Sequence, residues 1–427
     1  MRNKGIDMRH KILFLLLFAG VVVSISLAYS EEKFKLKTGA RGEICLNCHV
    51  LFQDKLKSLF VHTPVKTGEC SGCHNPHSSS HGKLLASDAD KICFRCHKAM
   101  VPEGAQSFHT NVVEGNCIKC HDPHSAENKN NLLRSGNKLC FGCHEDMGKK
   151  IAGNKFKHAP VESGCLNCHN PHASAISDFL LKNTVPSLCL NCHKTDRQIF
   201  KNQHMNYPVA DARCTACHNP HGSGNKGLLF DNVHKPFATK MCNQCHEGPS
   251  SASPLKIKKN GFELCMGCHS SMINEVFTKN RVHWPLVDRT GCLNCHSPHA
   301  SPEEGLLKNT LIKVCGSCHS DTIERQKIVE TKHPPVNEGM CTNCHSPHSS
   351  DSLFLFTQPS VVDICGSCHE WQKHSTHPIG EKFIDLRNKN LTLECLSCHR
   401  SHGTEFEKML YFKTTTELCI QCHTDKI

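Results

Sequence analysis

Residues 45–49 read Cys45-Leu46-Asn47-Cys48-His49, and the Cys-x-x-Cys-His pattern they form returns along the chain until all 32 cysteines are used. The copies, each given as its two cysteines and its histidine, are Cys45, Cys48, His49; Cys70, Cys73, His74; Cys93, Cys96, His97; Cys117, Cys120, His121; Cys140, Cys143, His144; Cys165, Cys168, His169; Cys189, Cys192, His193; and Cys214, Cys217, His218. They continue with Cys242, Cys245, His246; Cys265, Cys268, His269; Cys292, Cys295, His296; Cys315, Cys318, His319; Cys341, Cys344, His345; Cys365, Cys368, His369; Cys395, Cys398, His399; and Cys419, Cys422, His423. Positions i, i+3 and i+4 share one helix face. Two thiols can therefore bond the vinyl edge of a porphyrin while the next residue brings an imidazole to its iron, which makes the pattern an attachment signature for c-type haem.

Three other chemistries use such cysteines. Zinc ribbons also carry Cys-x-x-Cys pairs, but zinc does not ask for a histidine after every second cysteine. Thioredoxin-like redox pairs come one to a domain, whereas these recur about every 25 residues. A disulfide scaffold has the right parity and leaves the motif histidines without a purpose. Sixteen motifs with no cysteine left over predict 16 covalently bound haem c groups.

The first thirty residues hold Arg2, Lys4, Arg9 and Lys11, an apolar run from Ile12 to Ala28, and Ala28-Tyr29-Ser30 ahead of Glu31-Glu32. This reads as a signal peptide, residues 1–30, with an uncleaved anchor as the alternative because the run is near the lower length of a membrane span. No cysteine near residue 30 supports a lipid anchor, and no later stretch is apolar enough to span, so no membrane span is expected after cleavage. Export fits haem attachment outside the bacterial cytoplasm. The expected location is periplasmic or secreted.

Composition points the same way. The hydrophobic fraction of 38% includes the cysteines, and there are only 2 Trp and 3 Tyr, too little for an ordinary core in a chain of this length. Haem is expected to supply the missing apolar area, with folding coupled to its attachment. The expected fold is mainly short α-helices and loops wrapped around a stacked multihaem core, with almost no β-sheet. The formal charge of +11 includes +3 from the leader, where Arg2, Lys4, Arg9 and Lys11 outweigh Asp7, leaving +8. Two propionates and a ferric +1 for each haem bring the oxidised protein to about −8. Lys256, Lys258 and Lys259 then offset propionates or face solvent, and nothing supports nucleic-acid binding.

The motifs group in pairs. A repeat holds a first motif, a short helical segment, a histidine usually followed within two residues by proline, a second motif, then x-Pro-His and a leucine pair. Repeats open at Cys45, Cys93, Cys140, Cys189, Cys265, Cys315 and Cys365, with second motifs at Cys70, Cys117, Cys165, Cys214, Cys292, Cys341 and Cys395. The period of about 48 residues marks an array of two-haem repeats. The motifs at Cys242 and Cys419 stand outside complete repeats and read as caps. A Pro/Ser-rich linker at 247–264 then separates a nine-haem module, 31–246, from a seven-haem module, 265–427; one continuous array with an insertion at 247–264 is the alternative.

Beyond the motif histidines and His10 of the leader, fourteen of the remaining histidines fall at repeat positions. Seven precede a second motif: His62, His109, His158, His204, His283, His333 and His377. Seven follow one: His77, His124, His172, His221, His299, His348 and His402, the last in a segment where Ser401 replaces the proline. These are candidate second axial ligands. A Pro-His histidine sits too close to its own proximal ligand to reach behind that haem, so it is expected to serve a neighbouring one. The upstream histidine has a longer tether and could reach either haem of its own repeat. His81, His234 and His374 are extra and available to the caps. Iron with two histidine ligands has no place for substrate and passes single electrons; no Cys-x-x-Cys-Lys motif suggests a catalytic haem.

Segments such as Gly164-Cys165-Leu166-Asn167-Cys168-His169-Asn170-Pro171-His172, with a further motif some 24 residues on, resemble the doubled Cys-x-x-Cys-His multihaem cytochrome c family over nearly all of the chain after the leader. The resemblance implies an electron-transfer cytochrome of anaerobic or extracellular respiration rather than an enzyme. Its implied partners are redox proteins: periplasmic or outer-membrane cytochromes, a porin conduit or an extracellular acceptor, with self-association open. A multihaem reductase of a nitrogen or sulfur oxyanion, with one open haem, is the alternative.

Overall fold

The computed structural model describes residues 42–373 and 377–424. The leader, His10 and His374 lie outside the described residues. By backbone contacts the chain divides into two lobes, Met1–Gly153 with Ala159–Leu188, and Asn154–His158 with Cys189–Ile427.

Each Cys-x-x-Cys-His forms one helical turn in which the histidine amide donates to the carbonyl of the first cysteine, as in His74 to Cys70 at 3.0 Å and His319 to Cys315 at 2.9 Å. That turn puts both thiols and the imidazole on one side. Several segments after first motifs continue as helix, Val50–Lys57, α1 (Glu145–Gly153), α2 (Gly261–Thr278) and α3 (Ser320–Ile328) among them, whereas residues 98–106 after the motif at Cys93 form turns and bends. Helix α2 runs through its motif and departs from helical dihedrals at His269, φ −109° and ψ 27°.

Sheet is confined to two-stranded ladders. The strands are β1 (Phe60–Val61), β2 (Ser107–Phe108), β3 (Ser125–Ala126), β4 (Ala173–Ser174), β5 (Asn232–Val233), β6 (Arg281–Val282), β7 (Ala300–Ser301), β8 (Ser349–Ser350), β9 (Ile384–Asp385) and β10 (Asn388–Thr392). Strand β1 pairs with β3, β2 with β4, β5 with β7 and β6 with β8, all antiparallel. In each of these the segment before an upstream histidine meets the segment after the Pro-His of the following repeat. Single bridges at Phe156 with Ser223 and Thr331 with Thr404 repeat the connection. Residues 247–264 lie inside the second lobe, where Ile257 returns to bridge His246 and β5 pairs with β7 across the segment.

Among the described residues the buried hydrophobic side chains are Ala173, Tyr207, Ile273, Ala300, Val329 and Val361. Six such residues, two of them alanine, cannot offset the entropy of ordering a chain of this length. The second lobe instead encloses an apolar cavity of about 3070 Å³ lined by its motifs. That is several times the roughly 300–1,000 Å³ of a pocket for one small cofactor.

Candidate functional site

Second motifs share a loop that the sequence hid. After each x-Pro-His the chain returns, and a backbone carbonyl nine or ten residues past the motif histidine accepts its Nδ1–H. His74 donates to Lys83 at 3.0 Å, His121 to Asn130 at 2.8 Å, His169 to Phe179 at 2.8 Å, His218 to Gly227 at 2.7 Å, His246 to Leu255 at 3.0 Å, His296 to Gly305 at 2.7 Å, His345 to Phe354 at 2.8 Å and His399 to Lys408 at 2.8 Å. A carbonyl can only accept, so Nδ1 carries the proton and Nε2 keeps its lone pair for a metal. In most copies the accepting residue and its successor both have positive φ: Lys83 and Leu84 at 57° and 53°, Phe354 and Leu355 at 56° and 57°, Lys408 and Met409 at 57° and 56°. This is the type I′ geometry of a tight hairpin. Only Gly227 and Gly305 among the acceptors hint at it in the sequence, because Lys83, Asn130, Phe179, Phe354 and Lys408 are side-chain-bearing residues held in the left-handed region. The lone motif at Cys242 has the same carbonyl contact and return bridge, His246 to Leu255 and to Ile257, without the left-handed turn, so it is built as a second motif, preceded by His234 where other repeats have their upstream histidine.

Upstream histidines are pinned by the next repeat. The Nδ1–H of His62 donates to the carbonyl of Pro123, that of His158 to Pro220, that of His234 to Pro298 and that of His283 to Pro347, each at 2.9 Å. The proline of x-Pro-His thus supplies an acceptor. Where Ser401 replaces it, the Ser401 backbone still serves His333. The residue before the proline shapes the turn: Asn75, Asp122, Asn170 and Asn219 accept the amide of the Pro-His histidine two residues on, an Asx turn.

Histidine rings meet in pairs. Among the described residues thirteen motif histidines face a second ring: His97 with His62, His74 with His124, His144 with His109, His121 with His172, His193 with His158, His218 with His204, His269 with His234, His246 with His299, His319 with His283, His296 with His348, His369 with His333, His345 with His402 and His423 with His377. Their centroids lie between 5.9 Å, for His246 and His299, and 6.2 or 6.3 Å, as for His121 and His172. A metal-bound imidazole nitrogen sits about 2 Å from its ion and the ring centre about 1 Å beyond, so two rings sharing one ion stand about 6 Å apart.

The pairing is reciprocal between repeats. The sequence leaves the upstream histidine free to serve either motif of its own repeat; the structure turns it to the first motif of the next one. His62 thus faces His97 of the following repeat, while His124 of that repeat reaches back to His74. Both residues flank the ladder β1–β3, and the His62 amide donates to the His124 carbonyl at 2.9 Å. His204 is different: it faces His218 within its own repeat, and its Nδ1–H donates to Phe200 at 2.9 Å. His234, read as an extra histidine for the caps, occupies an ordinary upstream position opposite His269. His81 is held by Asp88, Nδ1 to Oδ1 at 2.9 Å. His77 and His221 are oriented by their Asx turns.

The cysteines alternate in step. First cysteines of the two motifs in a repeat lie within hydrogen-bonding reach: Cys45 with Cys70, Cys93 with Cys117, Cys140 with Cys165, Cys265 with Cys292, Cys315 with Cys341 and Cys365 with Cys395. In the unattached chain, hydrogen bonds from Cys265 and Cys315 bring Cys292 and Cys341 down to about 6, and Cys365 brings Cys395 to about 7. Second cysteines meet across repeats instead: Cys73 lies near Cys96, Cys120 near Cys143, Cys245 near Cys268, Cys295 near Cys318 and Cys344 near Cys368. Burial raises the thiol pKa of Cys73, Cys120, Cys245, Cys295 and Cys344.

This donor set fits haem: two thiols, a proximal imidazole with its tautomer fixed, a facing imidazole, and apolar space between. Tyr207 adds a further sign. It is 9% exposed, its hydroxyl has no partner among the described residues, and its ring stands edge-on to His246 at 6.4 Å on the cavity wall. A buried hydroxyl needs a partner, and a haem propionate is the acceptor this wall calls for. Near the last second motif, Arg387 grips Asp385 through Nε to Oδ1 at 2.9 Å and Nη2 to Oδ2 at 2.5 Å, and Nη2 also donates to the Ser397 carbonyl at 2.6 Å. The guanidinium holds the Asp385 carboxyl down at about 2.

Comparison with known proteins agrees. The profile of the Doubled CXXCH motif family matches residues 62–102, 109–149, 158–198, 206–233, 234–274, 283–324, 333–374 and 390–427. The chain is also similar to a curated protein named Multiheme cytochrome MtrA from Shewanella baltica (strain OS185), with 31% identity over 187 residues that cover 42% of this chain and 54% of that one. The match therefore spans about half of the relative's length. With a family match over most of its length, set on paired histidines and aligned thiols, the chain belongs to the doubled CXXCH motif family and is a multihaem c-type cytochrome carrying covalently bound haem c.

Proposed function

We propose that the protein is a sixteen-haem electron conduit, exported to the periplasm or beyond, that passes single electrons between redox proteins in anaerobic or extracellular respiration. The observation that carries this reading is the alternation within each lobe: in six repeats the first cysteines meet inside the repeat, and at five junctions second cysteines meet between neighbouring units, so that successive attachment edges abut. Haem so held supplies a one-electron Fe(III)/Fe(II) couple with little change of coordination.

The chain's own residues do the rest. Each facing pair of histidines is assigned as the two axial ligands of one haem, and the carbonyls of the type I′ loops and of the x-Pro-His prolines keep Nδ1 protonated and fix each ring. Second-motif sites are assigned as the interior of the path. First-motif sites, with the solvent-facing cysteines Cys96, Cys143, Cys192, Cys268, Cys318 and Cys368, are assigned as the points where partners dock through small, transient contacts. Within the second lobe the register runs through 247–264, which favours a continuous array there over a flexible joint. Among the described residues no helix is long and apolar enough to cross a membrane.

The test is a haem count by intact mass, followed by reduction under anaerobic stopped flow and mixing with an oxidised soluble cytochrome. Sixteen haems for each chain, all reoxidised within one experiment, are expected. A lower count, or a large fraction of haem that stays reduced, would overturn the proposal.

A further inference from the structure

The ligand exchange between repeats has a fixed register, and one motif falls outside it. First-motif histidines find their partner 31 or 32 residues ahead of the first cysteine: His62 before Cys93, His109 before Cys140, His158 before Cys189, His234 before Cys265, His283 before Cys315 and His333 before Cys365. Counting back in the same way from Cys45 arrives at Leu13 and Phe14, in an apolar run. The 44 residues before Cys45 contain no cysteine, and their single histidine, His10, does not fall in register.

Elsewhere a broken register is repaired. The second motif at Cys214 has no Pro-His histidine at the usual distance ahead, and His204 stands opposite His218 at 6.2 Å instead. The lone motif at Cys419 has Arg387 and Asn388 where the register would place a ligand, and His377 stands opposite His423 at 5.9 Å. At the first motif the described residues show no such repair: none of their aromatic rings faces His49, although its amide closes the usual turn onto Cys45 at 2.9 Å. The extra histidine of this repeat, His81, is turned to Asp88, which also accepts from Lys91 at 2.9 Å.

We propose that the haem attached at Cys45 and Cys48, with His49 as its one protein ligand, is a binding site for a small exchangeable ligand: a neutral diatomic on reduced iron or a small anion on oxidised iron. An array with thirteen sites closed by facing histidine pairs would then have one terminal position able to meet a small molecule directly. This rests on the conduit reading and adds to it a single open site.

The test is titration of the reduced holoprotein with carbon monoxide, with spin-counted electron paramagnetic resonance of the oxidised form. One equivalent of carbon monoxide for each chain and one high-spin ferric haem are expected, and both should vanish in the double variant Cys45→Ala/Cys48→Ala. If that variant fails to accumulate, His49→Met replaces it: the high-spin signal should change its shape while the low-spin signals stay. No uptake by the wild type, or full uptake retained after Cys45→Ala/Cys48→Ala, would overturn the proposal. Uptake that appears only in His77→Ala or His81→Ala would assign the distal place to that histidine and overturn it equally. Sixteen haems, all low-spin and inert to carbon monoxide, would remove the open site and leave the conduit reading standing.

Discussion

The two motifs of a repeat share five residues of pattern but differ in their surroundings. Every first-motif histidine, from His49 and His97 to His319 and His369, is exposed on the chain, whereas every second-motif histidine, from His74 and His121 to His345 and His399, is half-buried. The second cysteines divide the same way, Cys96 and Cys318 exposed against Cys120 and Cys344 partly covered. Both motifs take their facing histidine from an adjacent repeat, the first motif from the one before and the second from the one after, but only a second motif also carries a loop carbonyl that holds its own ring. One site is thus clamped locally and covered; the other lacks that clamp and is left open at its edge. The difference suits a conduit that needs both an insulated path and places of contact.

The largest effect that could break this contrast comes from deleting one haem of each kind. Cys292→Ala with Cys295→Ala removes a covered site between two ladders, and the loss of a folding-coupled group there is expected to cost on the order of 10 kcal/mol, enough to open the second lobe to protease. Cys315→Ala with Cys318→Ala removes an exposed site. It should cost a few kcal/mol, in proportion to the smaller apolar area at about 25 cal/mol for each Å², and leave a protease-resistant lobe with one haem fewer. Equal sensitivity in limited proteolysis, with haem loss checked by mass, would mean that the two motifs are energetically alike.

Much of this was legible in the residues, because covalent chemistry admits few patterns. Cys-x-x-Cys-His specifies the turn, the attachment and the proximal ligand at once, and the shortage of Trp and Tyr, with a hydrophobic fraction that includes the cysteines, pointed to a core made of cofactor. The reciprocal exchange was not legible: whether His62 turns to its own repeat or to the next depends on a ladder of two residues, and segments such as Phe60-Val61 and Ser125-Ala126 are too short for any periodicity to announce them. The clamp was hidden for another reason. Left-handed turns are usually betrayed by glycine, but Lys83, Asn130, Phe354 and Lys408 hold the position here. The equivalence of the motif at Cys242 to a second motif follows from the Leu255 carbonyl, which composition reads only as a linker.

The last second motif sharpens the contrast through electrostatics. Asp385, with 5% of its side chain exposed, and Arg387, with 28%, brace the Ser397 carbonyl inside this motif. The Asp385 carboxyl lies at about 2 in the folded chain against an ordinary 3.8, so folding favours its ionised form, by about 2 kcal/mol when fully expressed. Because the folded value is the lower one, this stability is complete above about pH 4 and fades as the pH falls toward 2. Asp385→Asn should therefore lose about 2 kcal/mol in denaturant unfolding at neutral pH, and the gap from wild type should narrow on acidification through that window. A constant gap would place the effect in packing.

A smaller effect probes the cavity wall beside a second-motif ring. In the holoprotein Tyr207→Phe should cost about 1 kcal/mol, the net value of one hydrogen bond, and should alter the absorbance or potential of a single haem. A neutral or stabilising substitution would show that the Tyr207 hydroxyl meets no cofactor carboxylate, and the fit argued for this wall would lose its polar contact.

The smallest effect tests the clamp itself, through its backbone. Phe354 holds φ 56° and ψ 22°, a conformation that costs an L-residue about 1–2 kcal/mol, and it is 71% exposed, so its side chain repays little by burial. It does meet Phe356 edge-on at 5.8 Å, a contact worth about 0.5 kcal/mol or somewhat more. Phe354→Gly removes the strain, gives up that contact, and adds the larger chain entropy of glycine in the unfolded state, about 0.5–1 kcal/mol. The opposing terms leave a change within about 0.5 kcal/mol of zero, while the carbonyl that accepts from His345 is untouched. Gly305→Phe at the equivalent turn takes on the strain with no aromatic neighbour to offset it and should destabilise by about 1 kcal/mol. If Phe354→Gly instead loses several kcal/mol or disturbs the haem spectrum, then the side chain and not the carbonyl is what holds the second-motif ring.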